Sequence, residues 1–196
     1  MSSIARRWLW IAAALGLAGF VWARSTRGKN VLLDLTGGRM YLSIAGQDVL
    51  KQREGFQAQR YPDPPGQSVT YSIGWGHKLK PGELFLDGVD EATANALLAA
   101  DVHDTEDVVN AGVTVELLQA QFDALVIFVF NTSSREPEKF LQSTLLRKLN
   151  AGDTEGATAE FARWNKVHRG GELVADAGLT ERRAVEARLF SSGQYA

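Results

Sequence analysis

The chain has 196 residues, 45% of them hydrophobic and 22% charged, and a formal net charge of −2. That is enough apolar material for a packed core, and it excludes a disordered chain and a strongly cationic nucleic-acid binder. With no cysteine in the sequence, structural disulfides and thiol chemistry are excluded as well.

Charge is divided along the chain. Residues 1–30 carry five basic and no acidic side chains, leaving 16 basic against 23 acidic beyond, a balance of −7. Within the basic part, Trp8 to Ala23 is a run of sixteen residues without a charge, flanked by Arg6, Arg7 and Arg24. At 1.5 Å rise a helix of this length spans about 24 Å, short of a hydrocarbon core of about 30 Å. The arginines can snorkel, and Trp8, Trp10 and Trp22 suit the interfaces, so the run is expected to be a transmembrane helix. Seven of its sixteen residues are alanine or glycine, which makes it only weakly hydrophobic. Residues 24–30 read as a basic linker. The expected division is a membrane segment and linker over 1–30 and one catalytic domain over 31–196. Residues 31–35 are a short apolar run with no evident place.

Residues 43–53 read as a short amphipathic helix, with Ser43 as N-cap and Ile44, Val49 and Leu50 sharing much of one face. Glu54 falls at the helix end and Gly55 suits a positive-φ stop. A carboxylate there meets the negative end of the macrodipole, which disfavours its charged form and suits a proton donor. Residues 58–61 can be a strand, and Pro-Asp-Pro-Pro-Gly-Gln (62–67) a turn. The chain returns through 69–75 in alternation: Val69, Tyr71, Ile73 and Trp75 on one face, Thr70, Ser72 and Gly74 on the other. Asp63 then sits near the hairpin tip, nine residues after Glu54. Two carboxyl groups and a hydroxyl face meet the needs of glycoside hydrolysis, in which one acid protonates the leaving oxygen and the other group stays ionised.

Beyond the hairpin, helices are expected over 91–109 with Asp90 as N-cap, over 115–130 as the buried central helix, and over 140–150, 154–164 and 180–190. The expected fold is α+β, with a small β-hairpin lobe, a larger helical lobe and a cleft between them. His77, His103 and His168 lack ligand spacing, so no metal and no cofactor is expected.

The ordered motifs resemble the phage T4-type lysozymes, glycoside hydrolase family 24. Glu54, Asp63 and Ser72-Ile73-Gly74-Trp75-Gly76-His77 match the family's glutamate, aspartate and Thr-Ile-Gly-x-Gly-His. Residues 121–131, 143–153, 161–165 and 178–183 match its later segments, so the likeness covers roughly 41–190. The chain departs in carrying serine for threonine, a longer turn before it, and Asn131-Thr-Ser-Ser-Arg-Glu-Pro-Glu-Lys139 in place of a glycine-rich loop.

The resemblance implies an inverting muramidase that hydrolyses the β-1,4 bond between N-acetylmuramic acid and N-acetylglucosamine in peptidoglycan. Glu54 would be the general acid, and Asp63 with the Ser72 hydroxyl would hold the water, Thr70 being the alternative hydroxyl. Phe130 and Ser143 match substrate-contacting positions, although as lone residues they also read as core and helix cap. Arg182 would pair with Glu54 while Arg183 faces solvent, and His77 would pair with Asp101. A monomeric endolysin is implied, with peptidoglycan as its partner and no nucleic acid. It would be held at the inner membrane through residues 8–23, facing the periplasm, and then released. A cleaved signal and a permanent anchor stay open beside signal-arrest-release. A lytic transglycosylase and a non-catalytic wall-binding or virion protein are the competing functions.

Overall fold

The structure, a computed structural model, describes residues 20–24, 30–34, 38–62, 70–132 and 136–195. The chain forms two compact units, Met1–Met40 and Tyr41–Ala196, each described by itself.

In the first unit, strands β1 (Phe20–Arg24) and β2 (Asn30–Asp34) pair antiparallel, with Ala23 opposite Val31 and Trp22 opposite Leu32. The expected transmembrane segment lies outside the described residues up to residue 19. Its last four residues are strand instead of helix end. Phe20, Val21 and Trp22 are aromatic or β-branched, types that favour extended backbone, and Asp34, Leu33 and Leu32 are their pairing partners. Among the described residues no helix is long and apolar enough to cross a membrane.

The second unit opens with α1 (Ile44–Glu54), whose N-cap Ser43 accepts a hydrogen bond from Gly46 N. Val49 and Leu50 are buried as expected, but Ile44 is 79% exposed. The first turn packs through Gly46 instead, where a Cβ would come within 2.9 Å of the Asp123 carboxyl. Gly55 ends the helix at φ +70°, ψ 148°, a region essentially restricted to glycine.

Strands β3 (Gln57–Pro62), β4 (Tyr71–Gly74) and β5 (His77–Lys78) form an antiparallel sheet in that order. The third strand was not foreseen. Nor does β4 alternate cleanly: Ser72 and Ile73 are both buried, because the sheet is covered on one face by a small core and crossed by strands on both sides. That core joins Ile73, Val89 and Ala94 to Phe56, Trp75 and Leu79.

The helical lobe is built from α2 (Glu91–Gly112), α3 (Gln119–Thr132), α4 (Pro137–Leu141), α5 (Thr144–Asn150), α6 (Thr154–Glu160) and α7 (Ala177–Ser192). Asp90 caps α2 by accepting from Thr93 N. Every residue of α3 from Phe122 to Val129 is buried, which makes it the central helix that its near-continuous apolar sequence predicts. The expected helix over 140–150 is two, broken where Ser143 caps α5 by accepting from Leu146 N. The expected helix over 154–164 ends at Glu160 and continues as a 3₁₀ turn, Phe161–Arg163. Strands β6 (Lys166–Arg169) and β7 (Glu172–Ala175) form a second hairpin, also unforeseen. Phe128, Phe161, Phe190 and Trp164 pack ring against ring between α3, the 3₁₀ turn and α7.

Candidate active site

Glu54 stands at the last position of α1, where the chain leaves the helix for the sheet. Its side chain is 22% exposed and opens on a cleft of about 480 Å³. The sheet contributes Gly76, Lys78 and Lys80 to one wall of this cleft. Asp101, Asp104 and Thr105 of α2 and Phe130, Asn131 and Thr132 at the end of α3 form the other. The lining thus carries two lysines together with the acidic Glu54, Asp101, Asp104 and Glu136.

Gly76 lies at φ +84° in the turn between β4 and β5, and a Cβ there would stand 3.4 Å from Glu54 Oε2. Glycine at this position keeps the wall beside the carboxyl open. Arg182, on α7, donates from Nη2 to Glu54 Oε1, as expected. Its guanidinium is 15% exposed, so the pair is well shielded from water.

Arg183 does not face solvent. It is 1% exposed, donates from Nη2 to Glu186 Oε1 at 2.9 Å and to Asn131 Oδ1 at 2.7 Å, and lies over the Phe128 ring at 5.1 Å. The α7 register turns it inward, and a buried guanidinium must then find a carboxylate, here Glu186 at 2% exposure. Burial pushes the Glu186 carboxyl up to about 7, against the opposing pull of Arg183 and Arg182. Burial likewise lowers the Arg183 guanidinium from its ordinary range.

His77 is 4% exposed and meets a carboxylate at each ring nitrogen: Asp101 Oδ2 at 2.7 Å from Nδ1 and Glu83 Oε2 at 2.9 Å from Nε2. Burial alone would lower its pKa, but the hydrogen bonds it donates to Glu83 and Asp101 outweigh it and hold the imidazole above its usual value. The Asp101 partner was expected; Glu83 was not. The Lys80 backbone N–H and His77 together hold the Glu83 carboxyl below its usual range.

Of the residues expected at the site, Glu54 and the half-buried Phe130 share the cleft. Ser72 is 2% exposed in the middle of the sheet, opposite Tyr61 and Lys78, while Thr70 beside it is exposed. Ser143 is not part of the cleft lining; it caps α5. Asp63 lies outside the described residues.

The phage lysozyme family profile matches residues 51–186, from the last turn of α1 into α7, and so takes in the whole cleft. The chain belongs to the phage lysozyme family. This lysozyme is 34% identical over 155 residues to an endolysin of Acyrthosiphon pisum secondary endosymbiont phage 1, covering 78% of this chain and 99% of that one. It is 30% identical over 161 residues to a SAR-endolysin of bacteriophage PS119, covering 81% and 90%. Among solved structures it is similar to the muramidase domain of SpmX from Asticaccaulis excentricus, with a TM-score of 0.70 and 34% identity over 79% of this chain and 99% of that one. The lysozyme is accordingly a glycoside hydrolase of the muramidase class.

Proposed function

We propose that this lysozyme hydrolyses the β-1,4 bond between N-acetylmuramic acid and N-acetylglucosamine in peptidoglycan, with inversion at the anomeric carbon. The observation that carries the proposal is Glu54, half shielded on the cleft wall and clamped by Arg182. In this reading Glu54 protonates the leaving glycosidic oxygen. Asp63, with the hydroxyl of Ser72, holds the attacking water on the opposite sugar face, and Thr70 is the alternative hydroxyl. Inversion leaves room for that water between the two carboxyl groups. Phe130 offers a sugar-contacting surface within the same cleft. The endolysin and muramidase names of the relatives support peptidoglycan as the substrate.

The SAR-endolysin relatives support a membrane-tethered form that is later released to the periplasm. Here the tether would be residues 8–23, joined by the basic linker to a monomeric catalytic domain. Tethering keeps an acidic domain close to an anionic wall that its own charge does not attract.

The test is product analysis of purified sacculi digested by the full chain. Reducing muramic acid ends, with the α-anomer appearing first by NMR, are expected. Products ending in 1,6-anhydromuramic acid would overturn hydrolysis in favour of lytic transglycosylation. A β-anomer appearing first would overturn inversion.

A further inference from the structure

The buried Arg183–Glu186 pair adjoins Arg182, which holds Glu54: Arg183 follows it directly and Glu186 stands one helical turn on. Glu186 Oε1, which accepts from Arg183 Nη2, stands 3.9 Å from Arg182 Nε. Arg182 in turn donates to Glu54 through Nη2. Arg183 is fixed from three sides: Glu186 on its own helix, the Phe128 ring beneath, and Asn131 Oδ1 at the cleft wall. The Arg182 Nε is itself buried and makes no hydrogen bond, so the Glu186 carboxylate is what faces it.

Burying an ion pair of this kind seldom adds net stability, because desolvation offsets the attraction; a well-packed apolar pair is often as stable. Packing alone therefore gives no reason for a fully buried arginine next to the active-site clamp. A guanidinium on a flexible stem, by contrast, needs a second anchor to hold one rotamer.

We infer that Glu186 and Arg183 are positioning residues for the reaction: Glu186 fixes the guanidinium of Arg182 against Glu54, and Arg183 locks Glu186 in place while tying it to the cleft wall at Asn131. The inference rests on the reading of Glu54 as the proton donor. The charged groups facing Glu186 are Arg182 and Arg183 on its own helix and Arg53 from α1.

The experiment compares the full chain with a variant carrying Arg183→Met and Glu186→Leu together, which removes the pair without leaving a buried charge alone. Melting temperature and circular dichroism report folding, and initial rates on soluble peptidoglycan fragments give kcat and KM. With Arg182 unanchored, kcat is expected to fall about 10- to 100-fold with KM within about threefold, the size of effect produced by small misplacements at a reacting centre.

Glu186→Asp serves as the second variant. It keeps the charge balance but draws the carboxylate away from Arg182, and should cost several-fold in kcat. A folded variant of either kind with wild-type kcat would overturn the inference alone. A folded wild type that releases no fragments would instead overturn the reading of Glu54, and the inference with it.

Discussion

Replacing Asp101 by asparagine should weaken the fold more in mild acid than in mild alkali. The buried His77 ring is held at 2.7 Å by Asp101 and at 2.9 Å by Glu83. With both nitrogens facing carboxylates the cation is the well-matched form, and its pKa lies above the usual value. A group whose folded pKa is raised contributes stability that is fully present below its unfolded value, near 6.5, and lost as pH rises through the folded one. Asparagine can still accept the Nδ1 proton, so the substitution removes the charge and keeps the hydrogen bond. An ionic hydrogen bond is worth about 1.5–3 kcal/mol against about 1 for a neutral one, a difference of about 0.5–2 kcal/mol here. For a domain of this size that is a fall in Tm of about 1–8 °C at pH 5.5. At pH 8.5 the fall should be smaller, because the imidazole has lost more of its proton than at pH 5.5. Calorimetric melts of wild type and Asp101→Asn at the two pH values measure it. An equal or larger fall at pH 8.5 would refute the reasoning.

Phe161→Ala should destabilise by about 3–5 kcal/mol in chemical denaturation, since Phe161 is fully buried against Phe128 and Phe190 and the cavity cannot close easily. Tyr195→Phe should cost only about 1 kcal/mol by the same assay. The hydroxyl it removes donates to the fully buried Asp123 at 2.7 Å, but Asp123 keeps Ser43 and Gln119 as donors. Gly76→Ala forces a positive φ on alanine and should cost about 1–2 kcal/mol. Its methyl would also stand against Glu54, so hydrolysis should slow more than stability alone predicts, checked by rates at a temperature where the variant is fully folded.

The parts of the fold that were legible in the sequence are those written in local chemistry. Ser43 and Asp90 cap helices where a short polar side chain precedes an apolar-periodic run, while the last helix is capped by Asp176 and starts three residues earlier than its periodicity suggests. The Glu54–Arg182 and His77–Asp101 contacts, 128 and 24 residues apart in sequence, were legible only through the family's ordered motifs. Nothing in helical periodicity distinguishes Arg183 from a solvated arginine. Its burial depends on Glu186, one turn on, and on Asn131 from another helix. The β6–β7 hairpin carries one local signal, Gly170-Gly171 at positive φ, but it is flanked by Arg169 and Glu172 and β6 has only Val167 as an apolar residue, so no alternation marks the strands. Glu83 escaped because it sits in an irregular loop, where only tertiary contact brings it to His77. The break at Ser143 was readable as a cap but was absorbed into one longer helix.

The most direct test of the account is the clearing of permeabilised Gram-negative cells by the full chain beside Glu54→Gln. The account predicts that wild type clears the suspension. It also predicts that Glu54→Gln, with its melting temperature retained, clears at least about 100-fold more slowly, the usual cost of losing a positioned proton donor. A folded Glu54→Gln that clears at the wild-type rate would contradict it.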